Sequence, residues 1–240
     1  MEKIQEVFKR YEKKYLLTDE QYKALQKVVG NRLILDEFGK HTICNIYFDT
    51  PNYELIRTSI EKPHYKEKLR LRSYGVPKVY SQVFIELKKK FDGIVYKRRV
   101  PMCLADAEKY LYEGRRPSET SQIIQEVDWF VKFYQPKPTV FLGYDRMAYF
   151  GREQEEFRVT FDTNIRYREE KLHLAEGDAG ELLMKDGTVL MEVKIPDSMP
   201  FWFGHILSDL GIFPISFSKY GDYYKQNVTH LFEEGILYAG

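Results

Sequence analysis

Basic side chains recur at every second position along several stretches of the chain, where they alternate with apolar residues. Residues 68–72 have the sequence Lys-Leu-Arg-Leu-Arg, and Glu86, Lys88 and Lys90 occupy alternate positions of the stretch that follows. Because alternate side chains of a β-strand point to the same face, each stretch predicts a strand with one apolar and one charged face. Arginine binds phosphate through paired hydrogen bonds, and lysine binds it as a point charge. The pattern therefore predicts phosphate chemistry.

The polar faces of the predicted strands are far more basic than the chain as a whole. The 240 residues contain 37 Lys and Arg against 36 Asp and Glu, a net charge of +1. The polar faces hold 14 basic and 4 acidic residues, a net charge of +10. Since Arg98 and Arg99 cannot both face the same way, parity with Lys97 favours Arg99. The acidic members are Glu12, Glu86, Asp162 and Glu192, and the basic members are Arg10, Lys14, Lys68, Arg70, Arg72, Lys88, Lys90, Lys97, Arg99, Arg146, Arg158, Arg166, Arg168 and Lys194.

A solvated sheet face is the simplest explanation of alternating charges on any single strand. Repetition over six or more strands favours a different explanation, because like charges that face each other on neighbouring strands destabilise a sheet. A bound polyanion would supply the missing negative charge. Binding of nucleic acid is not expected, since the basic residues lie on strand faces without an exposed aromatic platform for bases.

The elements that position these faces predict an α+β fold with a mostly antiparallel sheet. If helices cover the apolar strand faces and the sheet closes, the charged faces line the lumen of a barrel. Asp92-Gly93 predicts a hairpin turn, and Thr18 predicts a helix N-cap. Strands are predicted near 6–15, 42–49, 65–74, 80–90, 94–100, 139–149, 155–162, 164–168 and 188–195, and helices at 18–29, 51–60, 104–112, 118–134, 201–210 and 219–233.

Composition predicts a single soluble cytoplasmic domain over residues 1–240. The two cysteines, Cys44 and Cys103, are far apart, so they do not form a disulfide framework. The N-terminus has no apolar segment typical of a secretory signal. The longest apolar-rich stretch, residues 200–215, contains His205 and Asp209 and is too short and polar to span a bilayer. Peripheral attachment to a membrane complex through a partner protein stays open, and so does the oligomeric state.

An ordered set of short segments resembles the polyphosphate polymerase (VTC) domain of the vacuolar transporter chaperone complex. That domain is one of the triphosphate tunnel metalloenzymes, relatives of class IV adenylate cyclases and thiamine triphosphatases. The first position of the usual Glu-x-Glu-x-Lys motif is Arg10 here, as in the polymerase branch. The matching segments are Arg10–Tyr15, Ile46–Thr50, Lys68–Arg72, Glu86–Lys90, Lys97–Arg99, Tyr144–Arg146, Arg158–Asp162, Glu192–Lys194 and Ser218–Tyr220.

The resemblance implies a closed eight-stranded antiparallel tunnel, with helices outside, in which ATP-dependent polyphosphate synthesis takes place. It implies a divalent metal, Mn²⁺ or Mg²⁺, held by Glu192 with Glu12 as a second ligand. Lys14, Arg70, Arg72, Lys88, Arg146, Arg158 and Lys219 are implied to act on the transferred phosphate. Arg10, Lys68, Lys90, Lys97, Arg99, Tyr144, Lys194 and Ser218 are implied to bind the substrate.

Several alternatives stay open at the level of sequence. Glu192 has Lys194 and Arg158 as rival ion-pair partners, Glu12 has Lys14 and Arg72, and Asp49 is equally a loop cap before Pro51. The same tunnel also suits hydrolysis of tripolyphosphate or a nucleoside triphosphate. A third alternative is a non-catalytic module that binds polyphosphate or an inositol phosphate.

Overall fold

The computed structural model describes residues 11–92, 94–118, 121–195 and 198–238. Within these ranges the chain is a mixture of helices and strands, and neighbouring strands such as those at 11–17 and 189–195, or 65–74 and 82–91, pair antiparallel. This confirms the α+β prediction. The strands are β1 (Tyr11–Leu17), β2 (Leu33–Leu35), β3 (His41–Asp49), β4 (Tyr65–Tyr74), β5 (Gln82–Phe91), β6 (Ile94–Cys103), β7 (Lys137–Gly151), β8 (Arg158–Arg168), β9 (Glu181–Leu182), β10 (Val189–Ile195) and β11 (Pro214–Ile215).

The helices match the predicted ones closely in position. Thr18 caps α1 as predicted: its side chain accepts a hydrogen bond from the backbone of Gln21, whose own side chain accepts one from the backbone of Thr18. Ser121 caps α4, so this helix begins later than predicted. The helices are α1 (Asp19–Val29), α2 (Glu54–Ile60), α3 (Leu104–Leu111), α4 (Gln122–Tyr134), α5 (Phe201–Asp209), α6 (Lys219–Asn227) and α7 (Thr229–Glu233).

Three details differ from the sequence-based prediction. The two strands predicted at 155–162 and 164–168 form the single strand β8, in which Asn164 adopts a φ of +49°. The helix predicted over 219–233 is divided at Val228, whose φ of −120° departs from the helical value. The two- and three-residue strands β2, β9 and β11 were not predicted, because so few residues show no alternation. Of the strand predicted at 6–15, residues 6–10 lie outside the described ranges.

Hydrogen bonds connect the main strands in the order β11-β1-β10-β8-β7-β3-β4-β5-β6, with β2 beside β7 and β9 beside β8. Within the described residues this path has two ends, β11 and β6, so hydrogen bonds do not close the sheet into the predicted barrel. In the described part of the chain, the longest helix is too short to reach across a bilayer.

The chain forms two compact units that alternate along the sequence. The first contains Met1–His41, Tyr144–Ile165 and Met184–Phe217. Its core lies between the apolar face of β1, β8 and β10 and the helices α1 and α5. Met191 and Val193 of β10 are completely buried there with Phe203 of α5.

The second unit contains Thr42–Gly143, Arg166–Leu183 and Ser218–Gly240. The antiparallel strands β3, β4, β5 and β6 form most of it. Leu69, Leu71, Ile85 and Leu87 fill its core from the apolar strand faces, and Phe130 of α4 packs with them. In both units the helices cover the apolar faces of the strands, which leaves the charged faces on the opposite side of these strands.

Candidate anion and metal sites

The strand register in the second unit gathers the predicted basic residues on one face. Arg70 lies opposite Glu86, and Glu86 lies opposite Arg99. Lys88 lies between Lys68 and Lys97. Parity therefore places Arg99, rather than Arg98, on this face, as predicted.

Glu86 is the centre of this face, and its side chain is almost completely buried. Arg70 donates two hydrogen bonds to one oxygen of Glu86, from Nε at 2.7 Å and Nη2 at 2.5 Å. The other oxygen accepts hydrogen bonds from Arg99 and lies 3.1 Å from the Lys97 ammonium. The Arg72 guanidinium lies 3.8 Å away. We call these five residues, Glu86, Arg70, Arg72, Lys97 and Arg99, the Glu86 cluster.

Burial and the surrounding charges act in opposite directions on Glu86. Burial alone would raise its pKa, but Arg70, Arg72 and Lys97 outweigh burial and hold the pKa well below its usual range. For Lys97, burial lowers the pKa to about 8, although Glu86 partly opposes this. The cluster thus retains one carboxylate and four cations at neutral pH, a net charge of +3.

Two neighbours hold the arginines of the Glu86 cluster in place. Arg72 is buried and donates from Nε to the side-chain oxygen of Asn45 at 2.8 Å. The Arg99 guanidinium lies 4.6 Å from the centre of the Phe84 ring. The sequence reasoning missed Asn45 and Phe84 as supports, although both lie on this strand face by parity.

Lysines extend the basic face beyond the Glu86 cluster. Lys66 lies opposite Lys90, and burial together with Lys90 and Lys88 lowers the pKa of Lys66. Lys68 donates to the hydroxyl of Ser218 at 3.3 Å. Ser218 caps α6, and Lys219, the first residue of that helix, is buried. The structure therefore brings Lys68 together with the end of α6 that the resemblance assigned to the site.

The first unit contains a second charged cluster, in which acidic side chains outnumber basic ones. Arg146 forms a two-bond ion pair with Asp162, from Nε at 2.6 Å and Nη2 at 2.7 Å, and Nη2 also donates to Glu192 at 3.2 Å. Lys14 lies 3.4 Å from Glu192 and 3.6 Å from Glu12. These five residues, Glu12, Lys14, Arg146, Asp162 and Glu192, form what we call the Glu192 cluster, with a net charge of −1. Burial opposes the charge of Arg146, but Asp162, Tyr144 and Glu192 raise its pKa well above the usual value.

The carboxylates of the Glu192 cluster are of the donor type that binds Mg²⁺ when phosphate and water supply the remaining ligands. In the described part of the chain, no three His, Cys, Asp or Glu residues are grouped so that they could hold a metal alone. Mg²⁺ in phosphoryl-transfer sites is typically bound by one or two carboxylates together with phosphate oxygens and water. Glu192 and Glu12, both within 4 Å of the Lys14 ammonium, provide such a pair.

Four further residues from the sequence analysis are not members of either cluster. Tyr144 is buried, and the Arg146 guanidinium lies 5.2 Å from its ring centre. Lys194 lies between Glu12 and Arg158 in register. Arg10 lies outside the described residues. Asp49 caps α2, accepting the backbone N–H groups of Leu55 and Ile56, as the loop-cap alternative predicted.

Two of the basic residues counted on the strand faces, Arg166 and Arg168, donate hydrogen bonds to a nearby loop. Arg166 donates hydrogen bonds to the backbone oxygen and to the carboxylate of Asp178. Arg168 donates to several loop carbonyls, including Ala179 at 2.7 Å. The loop between β8 and β9 therefore supplies the partners of both arginines.

Comparison with known proteins identifies a family and a similar fold. A family model described as the VTC domain matches residues 9–227. No curated protein sequence matches the chain. A solved Bacillus halodurans structure, provisionally assigned as an adenylate cyclase, is 15% identical, with 91% of this chain and 96% of that chain covered and a TM-score of 0.55.

Two further solved structures are less similar. A Pyrococcus horikoshii protein is 13% identical, with 90% and 99% of the two chains covered and a TM-score of 0.45. A Vibrio parahaemolyticus protein, also provisionally assigned as an adenylate cyclase, is 10% identical, with 90% and 95% covered and a TM-score of 0.44.

The likeness to the Bacillus halodurans structure shows the fold, and the family match covers nearly the whole chain. Together with the charged strand faces, they assign the molecule to a class of phosphate-handling proteins. The chain belongs to the VTC domain family. This confirms the resemblance found in the sequence.

Proposed function

We propose that the protein synthesises polyphosphate from ATP. The observation that carries the proposal is the Glu86 cluster, in which four cations converge on one buried carboxylate. Such an excess of fixed positive charge is complementary to a chain of phosphates, and phosphoryl transfer depends mainly on charge stabilisation and alignment. Membership of the VTC domain family supports the same conclusion.

In this proposal the triphosphate of ATP lies along the basic strand faces, which close into the tunnel that the family resemblance implies. The basic residues proposed to bind phosphate oxygens are Lys14, Arg70, Arg72, Lys88, Arg146 and Arg158. Lys219 adds a buried charge at the start of α6. These groups draw charge away from the transferred phosphoryl group as it leaves ADP.

The terminal phosphate of the growing chain acts as the nucleophile. One of its oxygens forms a bond to the γ-phosphorus of ATP, while the bond from that phosphorus to the β–γ bridging oxygen breaks and ADP leaves. Glu192 and Glu12 would hold a divalent ion together with the phosphates, and that ion would supply further charge neutralisation. Lys68, Lys90, Lys97, Arg99, Lys194 and Ser218 hold the polymer and the remaining phosphates.

Incubation of the pure protein with ATP and Mn²⁺ tests the proposal. We expect ADP and long polyphosphate, resolved on a gel, to form together, and chelation of the metal to stop both. Arg98→Ala is the control for substitutions in the Glu86 cluster such as Arg70→Ala, because Arg98 binds Glu126 of α4 on the opposite strand face. Release of free phosphate without polymer would favour the hydrolase instead. Binding of tripolyphosphate without turnover would favour a binding module.

A further inference from the structure

A chain of buried contacts in the second unit leads from the end of β3 to Arg70 of the Glu86 cluster. It begins at Asp49, which is completely buried and accepts backbone hydrogen bonds from Thr50 at 2.8 Å, Leu55 at 2.9 Å and Ile56 at 3.1 Å. These bonds fix the carboxylate at the start of α2. The same carboxylate accepts a hydrogen bond from the hydroxyl of Tyr220 at 2.7 Å.

Tyr220 in turn supports Tyr47 of β3. The two rings are stacked, with their centres 4.7 Å apart and their planes 28° from parallel. Tyr47 is buried, and its hydroxyl accepts a hydrogen bond from Nη1 of Arg70 at 3.0 Å. Since Nε and Nη2 of Arg70 are bound to Glu86, Tyr47 fixes the opposite end of the guanidinium. The arginine is thereby held from two sides.

We infer that Tyr47, supported by Tyr220 and Asp49, is a positioning residue that orients Arg70 toward a phosphate chain. The inference deepens the proposed function, on which it rests for the identity of the ligand. A guanidinium held in one orientation loses less conformational freedom when it binds an anion than a mobile one does. Tyr47 acts through Arg70, and no contact between Tyr47 and the ligand is required.

The charges around Tyr47 give this role a distinct dependence on pH. Burial would raise the pKa of Tyr47, but Arg70 and Arg72 outweigh burial and lower the pKa to about 8. Above that pH the phenolate would neutralise Arg70 and compete with the ligand for its charge. Among the described residues, the charged and titratable groups around Tyr47 and its partner Arg70 include Lys68, Arg70 and Arg72 on β4, Glu86 on β5, Lys97 on β6, Tyr220 on α6, and Asp49 on β3 itself.

Titration calorimetry with inorganic tripolyphosphate at pH 6.5 and pH 9 tests the inference. At pH 6.5 we expect Tyr47→Phe to bind about five-fold more weakly than the unaltered protein, because the hydrogen bond to Arg70 is lost. At pH 9 we expect the variant to bind at least as tightly, because it cannot form a phenolate. Deprotonation of Lys97, whose pKa is about 8, weakens binding in both proteins. The comparison between them therefore isolates Tyr47.

Tyr223→Phe is the matched control, since Tyr223 is also buried on α6 but donates to Glu169. We expect it to bind tripolyphosphate as the unaltered protein does at both pH values. Tyr220→Phe keeps the stacked ring and loses the bond to Asp49, and we expect about two-fold weaker binding at pH 6.5. This milder variant also gives the answer if Tyr47→Phe does not fold.

The outcomes separate this inference from the proposed function. If the unaltered protein does not bind tripolyphosphate, the proposed function fails. If it binds, and Tyr47→Phe changes the affinity by the same factor at both pH values, Tyr47 is only a structural residue and the inference is overturned. Unchanged affinity in both Tyr47→Phe and Tyr220→Phe overturns it as well. An ultraviolet titration should also show a tyrosine with a pKa of about 8 that is missing in Tyr47→Phe.

Discussion

In the Glu86 cluster four cations surround one carboxylate, whereas in the Glu192 cluster two cations lie among three carboxylates. Both clusters stand on the charged faces of antiparallel strands and use the same side-chain types. Their net charges have opposite signs, +3 and −1. In the proposed function the positively charged Glu86 cluster would bind the anion, and the negatively charged Glu192 cluster would bind the divalent cation. The proposed function therefore predicts that phosphate binding and metal binding are separable, because they would rest on different clusters.

The sharpest test of this separation is Glu192→Gln. The amide is a poor ligand for a hard cation, so we expect metal-dependent turnover to fall by more than about 100-fold, which corresponds to several kcal/mol of charge stabilisation. Tripolyphosphate binding should remain, because the Glu86 cluster is unaltered. Full activity of the variant at saturating Mn²⁺ would show that the metal is bound elsewhere, and Glu12 would be the next candidate.

Glu86→Gln should have the next largest effect, on stability. Removal of the buried carboxylate leaves four cations without their shared partner, so we expect the free energy of unfolding to fall by about 3 kcal/mol. Tripolyphosphate should stabilise this variant more than the unaltered protein, since the anion replaces the lost charge. Denaturant unfolding with and without tripolyphosphate measures both effects. Equal stabilisation of the two proteins by the anion would contradict the comparison.

The same carboxylate predicts a dependence of stability on pH. The pKa of Glu86 in the folded protein lies well below the usual glutamate value of about 4.3. Its contribution to stability is therefore fully present above that usual value and is lost as the pH falls through the lower, folded-state pKa. Glu86→Gln should lack this part of the acid-induced loss, which unfolding measured from pH 6 down to pH 2 would show.

Arg70→Ala and Arg72→Ala should each weaken tripolyphosphate binding by about 1.5–3 kcal/mol, the range for hydrogen bonds to charged groups. Arg98→Ala should leave the affinity nearly unchanged, because Arg98 contacts α4 on the opposite face. Calorimetric titration of the three variants decides the point. Equal losses in all three would mean that general charge, rather than the Glu86 cluster, binds the anion.

The smallest expected effect is stabilisation of the unaltered protein by tripolyphosphate. At ten times its dissociation constant, an anion that binds only the folded state adds about 1.4 kcal/mol to the free energy of unfolding. This should raise the melting temperature by about 3–6 °C for a chain of this size. Chloride at matched ionic strength is the control for screening. An equal rise in chloride would falsify a specific anion site.

Sequence alone predicted the strand faces well because a period of two residues is explicit in the order of side chains. Residues 68–72 and Arg99 could be assigned to a face in this way, and the prediction for β4 at 65–74 matches its bounds in the structure. Glu86 was recognised as one of the face acids, but alternation does not show that four cations converge on it. That requires the register between strands, which depends on contacts distant in sequence.

The residues that support the charged side chains could not be predicted from the sequence, for a similar physical reason. Tyr47 and Tyr220 are 173 positions apart, and a contact over such a distance has no signature in the sequence. The partners of Arg166 and Arg168 are largely backbone oxygens of a loop, and backbone acceptors have no signature in the sequence. Closure of the sheet likewise depends on strands far apart in the chain, and it stays a prediction.

The alternation of the two units along the chain has a consequence for biosynthesis. Most of the second unit comes from one continuous segment, Thr42–Gly143, whereas the first unit needs three segments, the last of which ends at Phe217. Strand β1 pairs with β10, which is made about 175 residues later on the ribosome. Until then its apolar side chains, including Tyr15 and Leu17, have no β10 against which to pack. We expect a nascent chain arrested before β10 to expose these residues to chaperones, while β3–β6 are already paired.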